Sequence, residues 1–351
     1  MSKNNHHLIW KNYITTNLDI ISANEKIEKQ VCFDKKNTAK KNNHYQKTLV
    51  NNKIDGGLHK KIKNAIKEKV YSVSQLETFA DCGVKYLYKY ILGIKEAEKT
   101  EDYNFSAVDL GNYFHKILYS FYKNIEKECE ISDISSGSTE LLHKLMELAD
   151  VELKDYKDIP LFRYEIIRIK NTLKKWFEKE VEKMQNWSFS SSDFEFSFEN
   201  ISLNGLKIRG KIDRIEINID RNEYIVADYK LSFRGLSNER EVMAGKSLQI
   251  PLYLLALNKV PKYSNYNPVD GVYYVINSDK KMVHSLVSKE NIADLLEVAL
   301  NSALDYKDKI ENLNFSIIDY WNKCSKEICN FCGYNEFCRI MDIRIGLGNT
   351  N

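Results

Sequence analysis

No apolar run in this 351-residue chain approaches the roughly 18–20 residues that a helix needs to cross a bilayer. The stretch Met1–Trp10, with Asn4, Asn5, His6 and His7, also lacks the apolar core of a signal peptide. The expected location is therefore the cytoplasm, with no membrane partner. An internal repeat is missing as well. Charge is nearly balanced, 52 Lys and Arg against 49 Asp and Glu, and a net of +3 is too small to announce a nucleic-acid binder. A phosphate-binding Walker A loop is not there either. Ala244-Gly245-Lys246-Ser247 has the right ending, but Arg240 stands where that loop needs Gly. No ATPase activity is expected from this chain.

What is present is unevenly spread. Residues 1–70 hold 15 Lys against 6 Asp and Glu, so the rest of the chain is mildly acidic. These residues are also rich in Asn, with a basic run at Asp34–Lys41, and read as a partly disordered basic extension. At 43% apolar residues, the chain can bury a substantial core. Ordered structure is expected from Tyr71. Ser74-Gln75-Leu76-Glu77 has capping-box spacing, and a short helix should run from it to about Asp81-Cys82-Gly83. Further helices fit Val84–Ile91, Val108–Lys123 (apolar stripe Gly111, Phe114, Leu118, Phe121), Ser138–Tyr156 and Phe162–Gln185.

The period then falls from 3.6 to 2. Phe194–Phe198, Lys207–Ile219 and Glu223–Leu231 alternate, with turns at Asn204-Gly205 and Asp220-Arg221-Asn222, and read as a three-stranded antiparallel meander. A helix over Ser247–Lys259, strands at Gly271–Asn277 and Met282–Leu286, and a helix over Ile292–Leu313 complete the series. The fold class is α/β, a mixed sheet flanked by helices with a large helical insertion in front.

Polar groups of one chemical kind gather on two adjacent strands. Asp213 shares its face with Ile215, Ile217 and Ile219, and a carboxylate on a buried face is costly without a cation or hydrogen bonds. Ile225-Val226-Ala227-Asp228-Tyr229-Lys230-Leu231 is apolar on both faces, as a central strand would be, and Asp228 and Lys230 project to the same side. Two carboxylates and an amine suit phosphodiester hydrolysis, where Mg2+ is held by carboxylates and an ammonium steadies developing charge. A plain buried Asp–Lys ion pair is the competing interpretation. His115 lies on the apolar stripe of its helix, where a satisfied core histidine is the commoner outcome. Gln249 and Tyr253 stand four apart on one helical face, and Pro251 is tolerable if that helix starts near Ser247.

Seven cysteines occur, four of them within 324–338. In a reducing compartment this clustering points to metal rather than disulfides. Cys329, Cys332 and Cys338 supply three soft ligands, and either Cys324 or the remote Cys82 could be the fourth. Iron–sulfur and zinc are both open on these residues alone. Cys32 and Cys129 have no partners in sequence.

In order, the chain reads Gly111-Asn112-Tyr113-Phe114-His115, Gly210-Lys211-Ile212-Asp213-Arg214, Asp228-Tyr229-Lys230 and Gln249-Ile250-Pro251-Leu252-Tyr253. This series resembles the G-x-x-x-H, G-x-x-D-R, D-Y-K and Q-x-x-x-Y motifs of the RecB-like branch of the PD-(D/E)XK nucleases, over roughly residues 71–340. The resemblance implies a restriction-endonuclease-like core and a divalent cation, Mg2+ or Mn2+, held by His115, Asp213, Asp228 and the backbone carbonyl of Tyr229. It implies Lys230 as the catalytic lysine, with Gln249 and Tyr253 in the active site or on DNA. Among iron–sulfur members of the family, one Cys before the core joins a C-x2-C-x5-C at the end. By that likeness Cys82, Cys329, Cys332 and Cys338 hold a [4Fe-4S] cluster that staples the C-terminus, and Cys324 is a bystander. Gly83 departs from the Pro usual after the first of these cysteines, and Leu231-Ser232 from the Thr-Gly usual after D-Y-K.

Tyr71–Glu77 and Cys82 look most like the AddB type of nuclease domain. The implied boundaries are a basic extension over 1–70, a nuclease domain over 71–345 and a tail over 346–351. The implied function is exonucleolytic hydrolysis of DNA, on the 5′-ended strand if the likeness is close, beside a helicase–nuclease partner of AddA type. A standalone iron–sulfur single-strand exonuclease and a non-catalytic DNA-binding scaffold are the alternatives.

Overall fold

The computed structural model divides into two compact units, residues 1–53 and 54–351. Everything below concerns the second, in which residues 63, 66, 69–96, 105–128, 138–183, 193–233, 236–277, 283–287, 291–315 and 332–334 are described. The basic run at 34–41, Cys32, Cys129, Cys324, Cys329, Cys338 and the tail 346–351 lie outside them. Among the described residues, no helix is long and apolar enough to cross a membrane.

A two-residue strand, β1 (Tyr71–Ser72), runs into helix α1 (Val73–Asp81). The capping box sits two residues earlier than the sequence suggests. Ser72 Oγ accepts from the Gln75 amide and Gln75 Oε1 from the Ser72 amide, both at 3.3 Å. Glu77 is thereby left for another task. Cys82 ends α1 and caps α2 (Gly83–Tyr86), which passes directly into a π-helical turn at Leu87–Ile91 where the sequence suggests a continuous helix. Three long helices follow, α3 (Ala107–Glu128), α4 (Ser138–Glu152) and α5 (Arg163–Lys183), close to the expected spans.

The meander forms as expected. β2 (Phe194–Leu203) and β3 (Leu206–Asn218) are joined by Asn204-Gly205, both at positive φ as a tight hairpin turn demands. β3 and β4 (Glu223–Lys230) pair antiparallel. A short helix, α6 (Glu239–Met243), precedes α7 (Gln249–Leu257), and β5 (Asn267–Val275), β6 (Val283–Val287) and α8 (Ile292–Glu311) complete the unit. β5 joins β4 in parallel, through a crossover that contains α7, and β6 is antiparallel to β5. The six strands make one mixed sheet, β1-β3-β4-β5-β6, with β2 on β3.

β4 is buried on both faces, as its apolar sequence requires. β3 corrects a simpler picture. Alternation assigns Asp213, Ile215, Ile217 and Ile219 to the buried face and so leaves Arg214 and Glu216 outside, yet Arg214 is 1% exposed and Glu216 0%, while Ile219, past the end of β3, is exposed. The front helices cover that second face: Phe114, Leu118, Phe121, Leu145, Leu173 and Trp176 join Ala227, Tyr229, Val272 and Tyr274 in one core. Arg214 survives there because Nη1 meets Glu180 of α5 at 2.5 Å and Nη2 meets Glu216 at 2.7 Å.

Candidate metal centre and the cysteine end

The opposite face of β3 and β4 brings the acidic residues together. The Arg214↔Ala227 pair, continued by one residue, sets Asp213 opposite Asp228. Asp213 Oδ2 accepts from the Tyr229 amide at 3.0 Å, so the backbone of β4 fixes the carboxylate of β3. His115 reaches the same place from α3. Its Nδ1 lies 3.3 Å from Asp213 Oδ1 and 3.6 Å from Glu195 Oε1. Glu195 is also paired with Lys211.

Glu195 is not among the residues that the sequence singles out. A bulge explains the omission. On the loop side of β2 the register is Ile201↔Ile208, but beyond the shift it is Phe198↔Gly210, Phe196↔Ile212 and Phe194↔Arg214. Glu195 therefore faces Asp213. A bulge-free hairpin would have set it beside Arg214, on the other side of the sheet. Glu195 itself sits at φ 52°, a strained backbone for a non-glycine residue and one often found at functional sites.

Asp228 has two partners of its own: Gln249 Nε2 donates to Oδ1 at 2.9 Å, and Lys230 Nζ lies 2.6 Å from Oδ2. Burial raises the Asp228 carboxyl above its usual range, and the Asp213 charge adds to this against the pull of Lys230 and His115. Burial alone would lower the Lys230 ammonium, but Asp228 more than offsets it and the group is raised. His115 behaves alike: burial lowers it, the hydrogen-bonding carboxylates of Asp213 and Glu195 overcome that, and it is raised to about 10. Access to solvent is partial, since the His115 and Lys230 side chains remain 29% and 31% exposed whereas Asp213 and Asp228 fall to 10% and 8%.

Tyr253 completes the floor. Its hydroxyl is raised by burial and by the charges of Asp213 and Asp228. Gly210 lies beneath it, where a Cβ would come within 2.6 Å of the Tyr253 ring and 2.8 Å of Phe198, so only glycine fits at that motif position. At Gly111 a Cβ would meet nothing within 4 Å, and the structure supplies no steric reason for that glycine.

The donor chemistry suits a divalent cation. One ligand atom from each of His115, Glu195 and Asp213 can lie within 4.8 Å of the others, and carboxylate oxygens are the usual ligands of Mg2+ and Mn2+. Asp228 lies beside this trio with its oxygens engaged by Gln249 and Lys230. The contact seen from Tyr229 is its amide, on Asp213.

At the other end of α1, two of the four expected cluster cysteines are described. Cys82 Sγ accepts from the Lys85 amide at 3.4 Å, and Cys82 and Cys332 are both half-buried. The chain around Cys332 packs on the stretch that follows Cys82. Tyr334 donates to the Ile94 carbonyl at 2.7 Å and rests on the Tyr88 ring, and Gly333 abuts Glu96. Phe315 lies over Phe79 and Tyr86, and its backbone passes 3.3 Å from where a Gly83 Cβ would be. A side chain at 83 would need that backbone to give by a few tenths of an ångström. The segments that carry Cys82 and Cys332 meet here, as thiolate ligation from both would require.

Residues 70–339 match the family model of the PD-(D/E)XK nuclease superfamily. The chain is 28% identical over 282 residues to a Clostridioides difficile protein, a B-type subunit of an ATP-dependent helicase/deoxyribonuclease, covering 74% of this chain and 24% of the relative. Proteins of the same name from Clostridium acetobutylicum (28% over 205 residues; 53% of this chain, 17% of the relative) and a Thermoanaerobacter species (29% over 260; 67% and 22%) are also similar. The chain thus spans about a quarter or less of the length of these relatives.

Proposed function

The chain belongs to the PD-(D/E)XK nuclease superfamily, and on that premise we propose that it hydrolyses DNA phosphodiesters with Mg2+ or Mn2+, as the nuclease part of a helicase–nuclease complex. One observation carries this reading: Asp213 and Asp228 oppose each other across β3 and β4, with His115 on one side and Lys230 on the other. A simple Asp–Lys ion pair would need neither the histidine nor the second carboxylate.

His115, Asp213 and Asp228 would hold the cation, with the Tyr229 carbonyl from the backbone and Glu195 beside Asp213. Bound there, a divalent cation neutralises phosphate charge and makes a water more acidic. The Lys230 ammonium is placed to steady an anionic oxygen next to Asp228. Gln249 fixes which Asp228 oxygen Lys230 meets, and Tyr253 closes the floor against water. The attack is expected to be exonucleolytic. The relatives' names, with their helicase and deoxyribonuclease activities, support a helicase partner of AddA type.

Cys82 and Cys332, with Cys329 and Cys338, would hold a [4Fe-4S] cluster in a structural role, closing a loop of roughly 250 residues and so restricting the unfolded chain. The junction around Tyr334 and Ile94 supports that assignment. An anaerobic absorption band near about 400 nm, as expected of thiolate-bound iron–sulfur clusters, should vanish in Cys332→Ser; a colourless zinc protein would overturn it.

For the nuclease, the assay is digestion of end-labelled DNA with and without Mg2+. Wild type should degrade it only with the metal, and Asp228→Ala should be inert. Equal, metal-independent behaviour of the two proteins would leave a non-catalytic DNA-binding scaffold in place of the enzyme.

A further inference from the structure

Helix α7 carries Gln249 and Tyr253 but cannot cap itself. Its N-cap position is Leu248, with no side-chain oxygen to offer, and Pro251 in the first turn has no N–H. The missing acceptor comes from 171 residues away. Glu77 of α1 takes the Leu248 amide at 2.8 Å and the Gln249 amide at 2.9 Å, both on the single oxygen Oε1. A carboxylate there also meets the positive end of the α7 dipole. Burial raises the Glu77 carboxyl, the two amides pull it back, and the Lys230 charge also acts on it. Glu77 is thus linked to the candidate site through α7 and through the Lys230 charge.

We infer that Glu77 is a positioning residue: by fixing the backbone of Gln249 it aims the Gln249 amide at Asp228, and so sets the Asp228 oxygen left to Lys230 and the cation. The chain of contacts has three links: Glu77 to the Gln249 N–H, along the Gln249 side chain, and Gln249 Nε2 to Asp228 Oδ1. The inference rests on the nuclease reading, since Asp228 must do chemistry for its aim to matter.

The test is steady-state digestion of DNA by Glu77→Ala, Glu77→Gln, Gln249→Ala and the Glu77→Ala/Gln249→Ala double variant, each first checked for folding by circular dichroism. Misplacing a reacting group by an ångström costs on the order of a hundredfold, so Glu77→Ala should lose about ten- to a hundredfold in kcat. KM for DNA should move by no more than about twofold, because binding is not what Glu77 supports. Glu77→Gln keeps an acceptor oxygen and should stay within about threefold of wild type. In the double variant the loss should equal that of Gln249→Ala alone, since both act through one contact. Losses that multiply, or a loss confined to KM, would overturn the inference. Should Glu77→Ala fail to fold, Glu77→Asp replaces it: shortened by one methylene it should be impaired, and full activity would refute the role. A wild type that leaves DNA intact sinks the nuclease reading instead, so the two failures are distinguishable.

Discussion

Replacing Arg214 by Met is the severest single test of this architecture. Arg214, Glu180 and Glu216 are each at most 1% exposed, and the guanidinium is the cation between the two carboxylates. Removing one partner from a buried ion cluster costs about 3–5 kcal/mol, because the remaining charge is uncompensated. Two hydrogen bonds push the figure toward the lower end: Glu180 keeps one from Tyr122 and Glu216 one from Tyr274 at 2.7 Å. A loss of about 3–5 kcal/mol is a large part of the roughly 5–15 kcal/mol that stabilises a domain. At roughly 2–4 °C per kcal/mol for a domain of this size, the melting midpoint should fall by about 6–20 °C. Urea unfolding followed by circular dichroism gives the free energy, and thermal melts give the midpoint. The triple variant Arg214→Met/Glu180→Leu/Glu216→Leu should recover most of the loss, since apolar groups of similar volume often replace buried ion clusters without penalty. A deficit below about 1 kcal/mol in Arg214→Met, the size expected of an exposed pair, would refute the reasoning.

Two further outcomes are expected. Glu195→Gln should weaken Mn2+ binding about tenfold by calorimetry, in the range for residues that support a metal site; unchanged affinity would remove Glu195 from the centre. Asp270, raised to about 6 chiefly by burial, is bonded to the Gly271 amide and Ser285. Its folded-state value exceeds the ordinary one, so its contribution is full below the ordinary value of 3.8 and is lost as pH rises through about 6. Asp270→Asn should then be more stable than wild type above that pH, by about 1–2 kcal/mol in urea unfolding after allowing for its partial exposure, and gain nothing in acid. A gain of equal size at both pH values would contradict the assignment.

How far the sequence discloses the site depends on how local each contact is. Asp228 and Lys230 are legible because two residues of one strand must share a face, and Asn204-Gly205 because its turn chemistry is local. The helix at Glu239–Met243 is absent from the expected elements, although Asn238 and Glu241 form the box that announces it. Glu195 is a different case. Its side of the sheet is decided by a one-residue bulge between Phe198 and Ile201 that alternation of Phe, Glu and Ser cannot disclose. Glu77 matches a capping box with Ser74, yet its oxygen serves a helix 171 residues further on. A local motif is present, and a stronger remote site claims the residue.

Arg214 and Asp213 show why burial on both faces matters for the chemistry. Neighbours on β3, they point to opposite sides of the sheet, and Tyr229 of β4 touches both. Its amide holds Asp213 at 3.0 Å, while its hydroxyl lies 3.3 Å from the Arg214 guanidinium in the core. The backbone that aims the Asp213 carboxylate is therefore anchored by a side chain on the far face. His115 packs edge-on against the same Tyr229 ring, 5.8 Å between centroids, so the imidazole and the carboxylate take their positions from one residue. An exposed second face would leave that tyrosine free to change rotamer and the Asp213–His115 distance free to vary. Covering it with α3 and α5 fixes both, and the ion cluster around Arg214 lets a polar strand sequence accept that cover.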